Sequence, residues 1–285
     1  MKKRILSIML LCCMVLTMLP TTVLAADGPM DTIPKYDVSI DVYNRTSDIS
    51  IKDSRSYYIY SSVPDKLRDT WAWDKKIFIK GDKTAPHVFI DGVNIKMSPS
   101  SLGPAIELNK KASAYIYFIG KNSSLQGADG RAAIQKNRSE GQLYVLARTG
   151  TTVTCKGGDK AAGIGGSYAT RNISNGYYNG DMYGHGVNMH FGSQSNPDYL
   201  GGILAADGGN GGAGIGGGQG GAGEKLYFYS GTIQATSDRF ASGIGGSYEG
   251  RGSEIYIYGG TVSAQGGEGG AGIGGGCWKT EQDMN

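Results

Sequence analysis

The sequence predicts an all-β fold: a right-handed, single-stranded parallel β-helix (a solenoid) with about 29 residues per coil and three short strands in each coil. One observation is a pentapeptide, (Ala/Ser)-Gly-Ile-Gly-Gly, which occurs four times. Its copies span residues 162–166, 213–217, 242–246 and 271–275, after degenerate copies at residues 105–107 and 133–135. The second observation is the spacing, because the central isoleucines follow one another after 28, 30, 51, 29 and 29 residues. The third observation is that apolar and polar residues alternate with period 2 in the segments between the copies, which is typical of β-strands.

Residues 1–25 are predicted to be a signal peptide. They combine a basic start at residues 2–4, an apolar run over residues 5–19, and Val23-Leu24-Ala25, which a signal peptidase would read. A membrane span is a poorer interpretation, because the apolar run is short and no second hydrophobic segment follows. The protein is therefore expected to be exported and to act in the medium or at the cell surface.

The segment before the regular repeats is expected to lead into the solenoid. Residues 26–36 are predicted to be a flexible lead. Residues 37–74 are predicted to be N-terminal strands followed by a cap, because alternating apolar residues give way to a stretch that contains Trp71 and Trp73. The cap is expected to cover the open end of the coils.

The regular parallel β-helix is predicted over residues 75–276. An insertion at residues 167–200 accounts for the 51-residue step, and most of it is expected to form a loop. The coil is expected to resume near Val187–Phe191 and again at residues 202–205. Residues 277–285 form an incomplete tail, so the last coil lacks two of its strands and has no evident cap. Since an uncapped solenoid end exposes unpaired strand edges, the chain is expected to continue C-terminally in a longer protein.

One complete coil can be followed from Ser242 to Gly270. Its predicted strands are Gly243–Gly245, Ile255–Tyr258 and Thr261–Ala264, separated by Gly-rich corners. Alternation directs the isoleucines and the valine inward and the tyrosines outward. In the preceding coil the inward residues are Leu226, Phe228 and Ile233, with Tyr227 and Tyr229 outward. Stacked inward residues are expected to be the main stabilising feature.

Composition excludes several classes of protein. Glycine accounts for 48 of 285 residues, but collagen and disorder do not fit, since there is no Gly-X-Y period and proline is scarce. The net charge of +3 includes the three positive charges of residues 2–4, and no Lys/Arg stripe marks a nucleic-acid-binding face. Cys155 and Cys277 are expected to be small buried hydrophobes, because a disulfide would need distant coils to meet.

A polar column lies five residues before each anchor isoleucine. Its members are Asp129, Asp159, Asn210, Arg239 and Glu268. If the coils stack in register, neighbouring carboxylates would recruit a cation, and Ca²⁺ binds carboxylate and backbone carbonyl oxygens. Calcium is therefore predicted as a cofactor, with Asp129, Asp159 and Glu268 as ligands. The alternative is that Asp and Asn simply favour turns.

An outward column of tyrosines is the second candidate site. Tyr117, Tyr144, Tyr227 and Tyr256 are assigned to one position of the second strand, Tyr229 and Tyr258 lie two residues further on, and Asn188 and His190 take these places in the inserted coil. Such a strip can stack on sugar rings, so these six tyrosines are predicted to bind carbohydrate. The alternative is that the tyrosines stack on one another for stability.

No catalytic residues are predicted. His87, His185 and His190 form no recognisable pair with a Ser or Cys nucleophile, and neither H-E-x-x-H nor C-x-x-C is present. A glycosidase needs two carboxylates across a cleft, and Asp91 has no acidic partner in the sequence pattern.

The repeats resemble a family of secreted bacterial carbohydrate-binding β-helix domains of clostridia and their relatives. The resemblance rests on Val88–Ile95, on Pro104-Ala105-Ile106 and on Ala162–Gly166, and it covers roughly residues 75–276. It implies a right-handed parallel β-helix, binding of acidic plant-type polysaccharides by some members, and bound calcium. No individual binding residue is transferred, and the insertion departs from the family's plain repeat.

The function expected from the sequence is therefore non-catalytic polysaccharide binding by an exported protein, with acidic, pectin-like glycans as ligands. Two alternatives stay open. A structural or adhesin stalk would use the coils only as a spacer and would bind no glycan. A polysaccharide lyase or hydrolase on the same scaffold would release unsaturated or reducing sugars.

Overall fold

The structure is a computed structural model that describes residues 33–81, 84–99, 101, 103–109, 111–137, 140–168 and 184–278. The predicted signal peptide, most of the predicted lead and residues 279–285 lie outside the described residues. The strands are β1 Val38–Asp41, β2 Ile49–Ile51, β3 Ser56–Tyr60, β4 Ile77–Ile79, β5 His87–Asp91, β6 Asn94–Lys96, β7 Ile106–Leu108, β8 Ala114–Ile119, β9 Ser123–Gln126, β10 Ile134–Gln135, β11 Leu143–Ala147, β12 Thr152–Lys156, β13 Ile164–Gly165, β14 Gly186–Phe191, β15 Ile203–Asp207, β16 Ile215–Gly216, β17 Gly223–Phe228, β18 Thr232–Thr236, β19 Ile244–Gly245, β20 Gly252–Ile257, β21 Thr261–Gln265 and β22 Ile273–Gly274. Short 3₁₀ helices span Asp65–Leu67 and Pro197–Tyr199.

These strands form three parallel sheets. Sheet A has the order β1-β3-β5-β8-β11-β14-β17-β20, sheet B the order β2-β4-β7-β10-β13-β16-β19-β22, and sheet C the order β6-β9-β12-β15-β18-β21. Each complete coil contributes one strand to each sheet, which confirms the predicted parallel β-helix with three strands per coil. The anchor isoleucines pair in register along sheet B, from Ile106 to Ile273. The right-handed sense of the coil stays a prediction.

Apolar side chains fill the interior of the coils. Leu226, Phe228 and Ile233 are all nearly inaccessible, as predicted, and Phe228 stacks on Phe191 with ring centroids 5.0 Å apart. Each fully buried side chain of this size contributes about 1.5 to 3 kcal/mol. The last described coil is different, since Ile257 is 47% exposed where no described coil covers it.

The cysteines also belong partly to this interior. Cys155 is buried, and burial raises the pKa of its thiol, so it is an inert packing residue as predicted. Cys277 is only half-buried, in contrast to the prediction.

No described helix is long and apolar enough to span a bilayer.

The coils begin earlier than the sequence pattern indicated. β1 pairs with β3 and β3 with β5, so sheet A starts at Val38 and not near residue 75. Trp73, predicted to belong to a cap, instead forms a parallel bridge to Ile95 of sheet C and is 2% exposed. Its indole Nε1 donates a hydrogen bond to the Arg45 carbonyl at 2.8 Å. The tryptophan fills the interior of an early coil because that coil has no named strand in sheet C.

The coil resumes inside the predicted insertion, near Val187–Phe191, and again near residue 203, as the sequence predicts. β14 lies within residues 167–200 and pairs with β11 and β17, so the chain returns to sheet A at Gly186. Residues 192–202 then leave the coil again between sheets A and C, and they carry the 3₁₀ helix Pro197–Tyr199. The early return follows from Met189 and Phe191, which face inward like their partners Leu226 and Phe228 on the next coil.

A column of glycines follows the isoleucines in sheet B. Gly165, Gly216, Gly245 and Gly274 pair in register and have φ between 127° and 137°. A Cβ on Gly216 would lie less than 3.0 Å from the carbonyl oxygen of Gly245 on the next coil. The pentapeptide therefore keeps its glycines because the backbones of neighbouring coils approach closely there.

Candidate functional site

The outward face of sheet A carries a row of stacked rings, which we call the first row. Pairing in register gives its members in order: His87, Tyr115, Tyr144, His190, Tyr227 and Tyr256. Successive ring centroids are 4.4 to 5.3 Å apart and the planes are within 18° of parallel. Each inner ring of the first row thus has both faces covered by its neighbours.

A second row lies two residues further along each strand, and this row is interrupted. Its members in order are Phe89, Tyr117, Leu146, Gly192, Tyr229 and Tyr258. Phe89 stacks on Tyr117 at 4.8 Å, and Tyr229 stacks on Tyr258 at 5.4 Å. Leu146 and Gly192 supply no ring, so the row is broken between Tyr117 and Tyr229.

The predicted alignment of Tyr117 is wrong. Tyr117 pairs with Leu146, and Tyr115 pairs with Tyr144. The error has a simple cause, because a slip of two residues leaves every side chain on the same face of the strand. The placements of Asn188 and His190 in the column are also wrong, because His190 pairs with Tyr227 and not with the residue two places further on. Asn188 has φ of 57° and lies, with Lys225 and Glu254, in a stack of left-handed backbone positions beside the rows.

The premise that the strip offers open ring faces is wrong for most of its length. The six predicted tyrosines are distributed over both rows, and Tyr227 is covered by His190 on one side and by Tyr256 on the other. Tyr256 and Tyr258 are 41% and 62% exposed at the end of the described coils. The open interior position is the break in the second row.

That break forms a groove of about 340 Å³. Of the predicted residues, Tyr117, Tyr144 and Tyr229 line it, whereas Tyr227, Tyr256 and Tyr258 do not. Sequence reasoning missed the other lining residues, which are Tyr115, Leu146, His190, Gly192, Ser193, Gln194 and Asn196. We refer to this site below as the groove.

Gly192 keeps the groove open. Its φ is +77°, and a Cβ there would lie less than 3.0 Å from the Ser230 carbonyl oxygen on the next coil. Any side chain at this position would therefore meet backbone, and the second row cannot be completed by the chain itself.

The loop after β14 forms one wall and is tied down by local hydrogen bonds. Ser193 Oγ accepts a hydrogen bond from the Asn196 backbone N–H at 3.0 Å, and Asn196 Oδ1 accepts one from the Asp198 N–H at 3.0 Å. The latter caps the 3₁₀ helix Pro197–Tyr199. Tyr199 is 4% exposed and packs against Tyr117 with centroids 5.3 Å apart. The wall is therefore anchored in a small apolar cluster.

The groove is electrically neutral near neutral pH. Burial lowers the pKa of His190 to about 4 and raises that of Tyr117 to about 12, so the imidazole and the phenol are both uncharged. His190 Nδ1 is hydrogen-bonded to the Tyr229 hydroxyl at 3.1 Å, and His87 Nδ1 to the Tyr117 hydroxyl at 3.0 Å. Among the described residues, none that lines the groove is Lys, Arg, Asp or Glu.

The predicted metal corner contains both signs of charge. Asp129 and Asp159 lie on neighbouring coils, where the Gly130 N–H donates to the Asp159 carbonyl at 2.8 Å. Lys160 Nζ is 3.9 Å from Asp159, and the backbone of Glu268 forms a parallel β-bridge with that of Arg239 on the neighbouring coil. In the part of the chain that the structure describes, no three His, Cys, Asp or Glu side chains could hold a metal ion together. Calcium stays a prediction, which a calcium-dependent rise of the unfolding midpoint would confirm.

Asp91, the acidic residue considered for catalysis, and Glu107 both have structural partners. Asp91 Oδ2 accepts a hydrogen bond from the Tyr58 hydroxyl at 2.8 Å, and Oδ1 accepts one from the Lys121 N–H at 3.0 Å. Glu107 is paired with Lys76 at 2.7 Å. The absence of catalysis stays a prediction.

Comparison with known proteins supports the repeat. A family model described as "Beta helix repeat" matches residues 229–248 and 255–277. These residues include β18, β19, β21 and β22 with half of β20, so the match agrees with the coils seen in the structure. No curated protein and no solved structure matches the chain.

Proposed function

We propose that the protein is a non-catalytic, exported polysaccharide-binding protein that holds neutral sugar rings in the groove. The observation that carries this proposal is the interrupted second row, where Tyr229 has no ring in register on the side of Gly192. The ring that stacks on it from that side is His190 of the first row, offset on the diagonal with its centroid 6.0 Å away, whereas rings in register are 4.4 to 5.3 Å apart. An apolar C–H face of a sugar can pack on such an aromatic face.

The polar residues of the groove suit hydroxyl groups. Ser193, Gln194 and Asn196 present a hydroxyl and two amides along the loop wall. Each can donate or accept, as sugar hydroxyls can. A largely aromatic lining with a few polar groups, and a volume near 340 Å³, are typical of small-ligand sites.

The charge of the groove favours neutral over acidic glycans. A carboxylate would gain from an arginine or lysine, and no described residue of the groove supplies one. We therefore propose neutral polysaccharides in place of the acidic, pectin-like glycans that the resemblance implied. Export rests on the pattern of residues 1–25, and it places the protein at the cell surface or in the medium.

We expect Tyr229→Ala to weaken binding to a neutral polysaccharide about tenfold, since it removes the open face. Tyr227→Ala is the matched control: it removes a tyrosine from the adjacent row whose faces are both covered and which does not line the groove. Affinity electrophoresis in gels containing xyloglucan, galactomannan, starch or soluble cellulose derivatives measures both. Equal weakening by the two variants would contradict binding in the groove.

A stalk is the second candidate function, and the first row favours it. Rings that cover each other's faces contribute to the stability of the solenoid whether or not any ligand binds. In that case Tyr227→Ala lowers the free energy of unfolding by about 1 to 3 kcal/mol, for two lost stacking contacts, and no glycan in the panel retards the wild type.

A further inference from the structure

We propose that the groove accepts a single sugar ring, inserted edge first from a chain end or a one-residue branch, in the space between Leu146 and Tyr229. This inference rests on the proposed function and deepens it. It commits to the part of the polysaccharide that is recognised, whereas the proposed function would equally allow a linear chain lying along the sheet.

The spacing of the coils sets the number of rings. Neighbouring strands of a sheet are about 4.8 Å apart, and each ring of the first row occupies one such step. Leu146 on β11 and Tyr229, the residue directly after β17, are separated by two steps, or about 10 Å, and Gly192, the residue directly after β14, lies between them. Since Gly192 has no side chain, one step of the second row is free. One ring fits there with one face on Tyr229 and the other on Leu146.

The surroundings of this space restrict how a ring can enter. Along the strands, Tyr144 and His190 of the first row lie on one side and the loop residues Ser193 to Asn196 on the other. Gly192 forms the floor. Leu146 and Tyr229 close the space along the axis of the solenoid, and the first row and the loop close it along the strands. A ligand can therefore enter only from the solvent side, opposite Gly192. A residue inside a linear chain has linkages on two sides, whereas a terminal or branch residue presents a free edge.

The groups at the rim can bind the edge of such a ring. Gln194 is exposed, and within the described structure its side chain has no hydrogen bond. Ser193 Oγ already accepts from two backbone N–H groups, at 3.0 and 3.3 Å, so its remaining capacity is to donate. The hydroxyl of Tyr144 donates to Gln142 at 2.6 Å. Recognition at the open end is thus by the loop, and Tyr229 and Leu146 supply the two faces.

The dependence of affinity on chain length tests the single-ring space directly. The probes are the wild-type protein, the polysaccharide that retards it most in the gels, the tetrasaccharide of that polymer and the methyl glycoside of its terminal sugar. Competition is measured by NMR or affinity electrophoresis. We expect the tetrasaccharide to bind less than about threefold more tightly than the methyl glycoside. A gain of about tenfold or more would overturn the inference, since further rings would then contribute contacts.

Removing one face of the space provides an independent measurement. Leu146→Ala takes away the side chain that borders the Gly192 step opposite Tyr229, so we expect it to weaken retardation by about fivefold or more. Leu146→Met, which conserves volume, is the control and should retain binding. If Leu146→Ala does not fold, the chain-length measurement on the wild type decides. Wild-type retardation that Leu146→Ala leaves intact overturns the single-ring space alone. A wild type that no glycan retards overturns both proposals.

Discussion

Replacing Gly216 by alanine is expected to lower the free energy of unfolding by at least about 3 kcal/mol. Two effects add. The backbone at Gly216 has φ of 137°, which a residue with a side chain adopts only under strain, and the new methyl group would meet the Gly245 carbonyl oxygen of the next coil at less than 3.0 Å. Relief would require the coils to separate, and the sheet B hydrogen bonds would lengthen as a result. Chemical denaturation followed by circular dichroism measures the loss.

Two control variants separate the effects. Gly274→Ala has nearly the same φ, 133°, but its nearest contact would be the Ala271 Cβ at 3.6 Å, so it reports strain without the clash. Gly150→Ala has φ of +84° and no atom within 4 Å, and it reports strain at an interior coil. We expect each control to cost about 1 to 2 kcal/mol. If Gly216→Ala cost no more than these, close stacking of the coils would not be the reason for the glycine column.

Stability is expected to fall by up to about 3 kcal/mol between pH 6.5 and pH 4 because of His190 alone. Burial lowers the pKa of this histidine to about 4 in the folded protein, whereas the unfolded chain has the ordinary value near 6.5. Above pH 6.5 both states are neutral at this site. As the pH falls, the unfolded state takes up a proton that the folded state does not, so unfolding becomes more favourable. Below about pH 4 both states are protonated and the loss is complete.

The variant that tests this is His190→Phe, which keeps a ring in the first row and removes the titrating group. We expect the difference in unfolding free energy between variant and wild type to grow as the pH is lowered from 6.5 to 4, and to be constant above pH 7. His87→Phe is the control at the end of the same row, where the histidine is more exposed. A His190→Phe profile parallel to that of the wild type would show that another group is responsible.

The architecture could be predicted from the sequence because the isoleucines recur at one period and pair in register. Ile134, Ile164 and Ile215 alone define sheet B, even across the 51-residue step. Trp73 was harder to place, since a single inward residue that replaces a strand leaves no alternating pattern. The start of the coils at Val38 could not be predicted either, because the early coils lack the pentapeptide.

The groove could be predicted only in part. Alternation identified the outward tyrosines, but it does not show whether a neighbouring ring covers a face. Tyr227 and Tyr229 look equivalent in the sequence, and only Tyr229 borders the gap. The gap itself depends on Gly192, one glycine among 48, and on pairing across the insertion. Tyr115 and Tyr144 are 29 residues apart, which is the period of the repeat, so the sequence does contain the signal that these two tyrosines pair on neighbouring coils.

The excursion at residues 192–202 leaves the coils on both sides undisturbed. Phe191 pairs with Phe228 before it and Ile203 pairs with Thr232 after it, in the same registers as an uninterrupted coil. In the proposed site the coils supply the aromatic and aliphatic faces, and the loop supplies the polar wall. The loop is therefore the part of the groove that can change while the register of the coils is kept. Grafting a different loop between Phe191 and Ile203 offers a route to new specificities on the same solenoid.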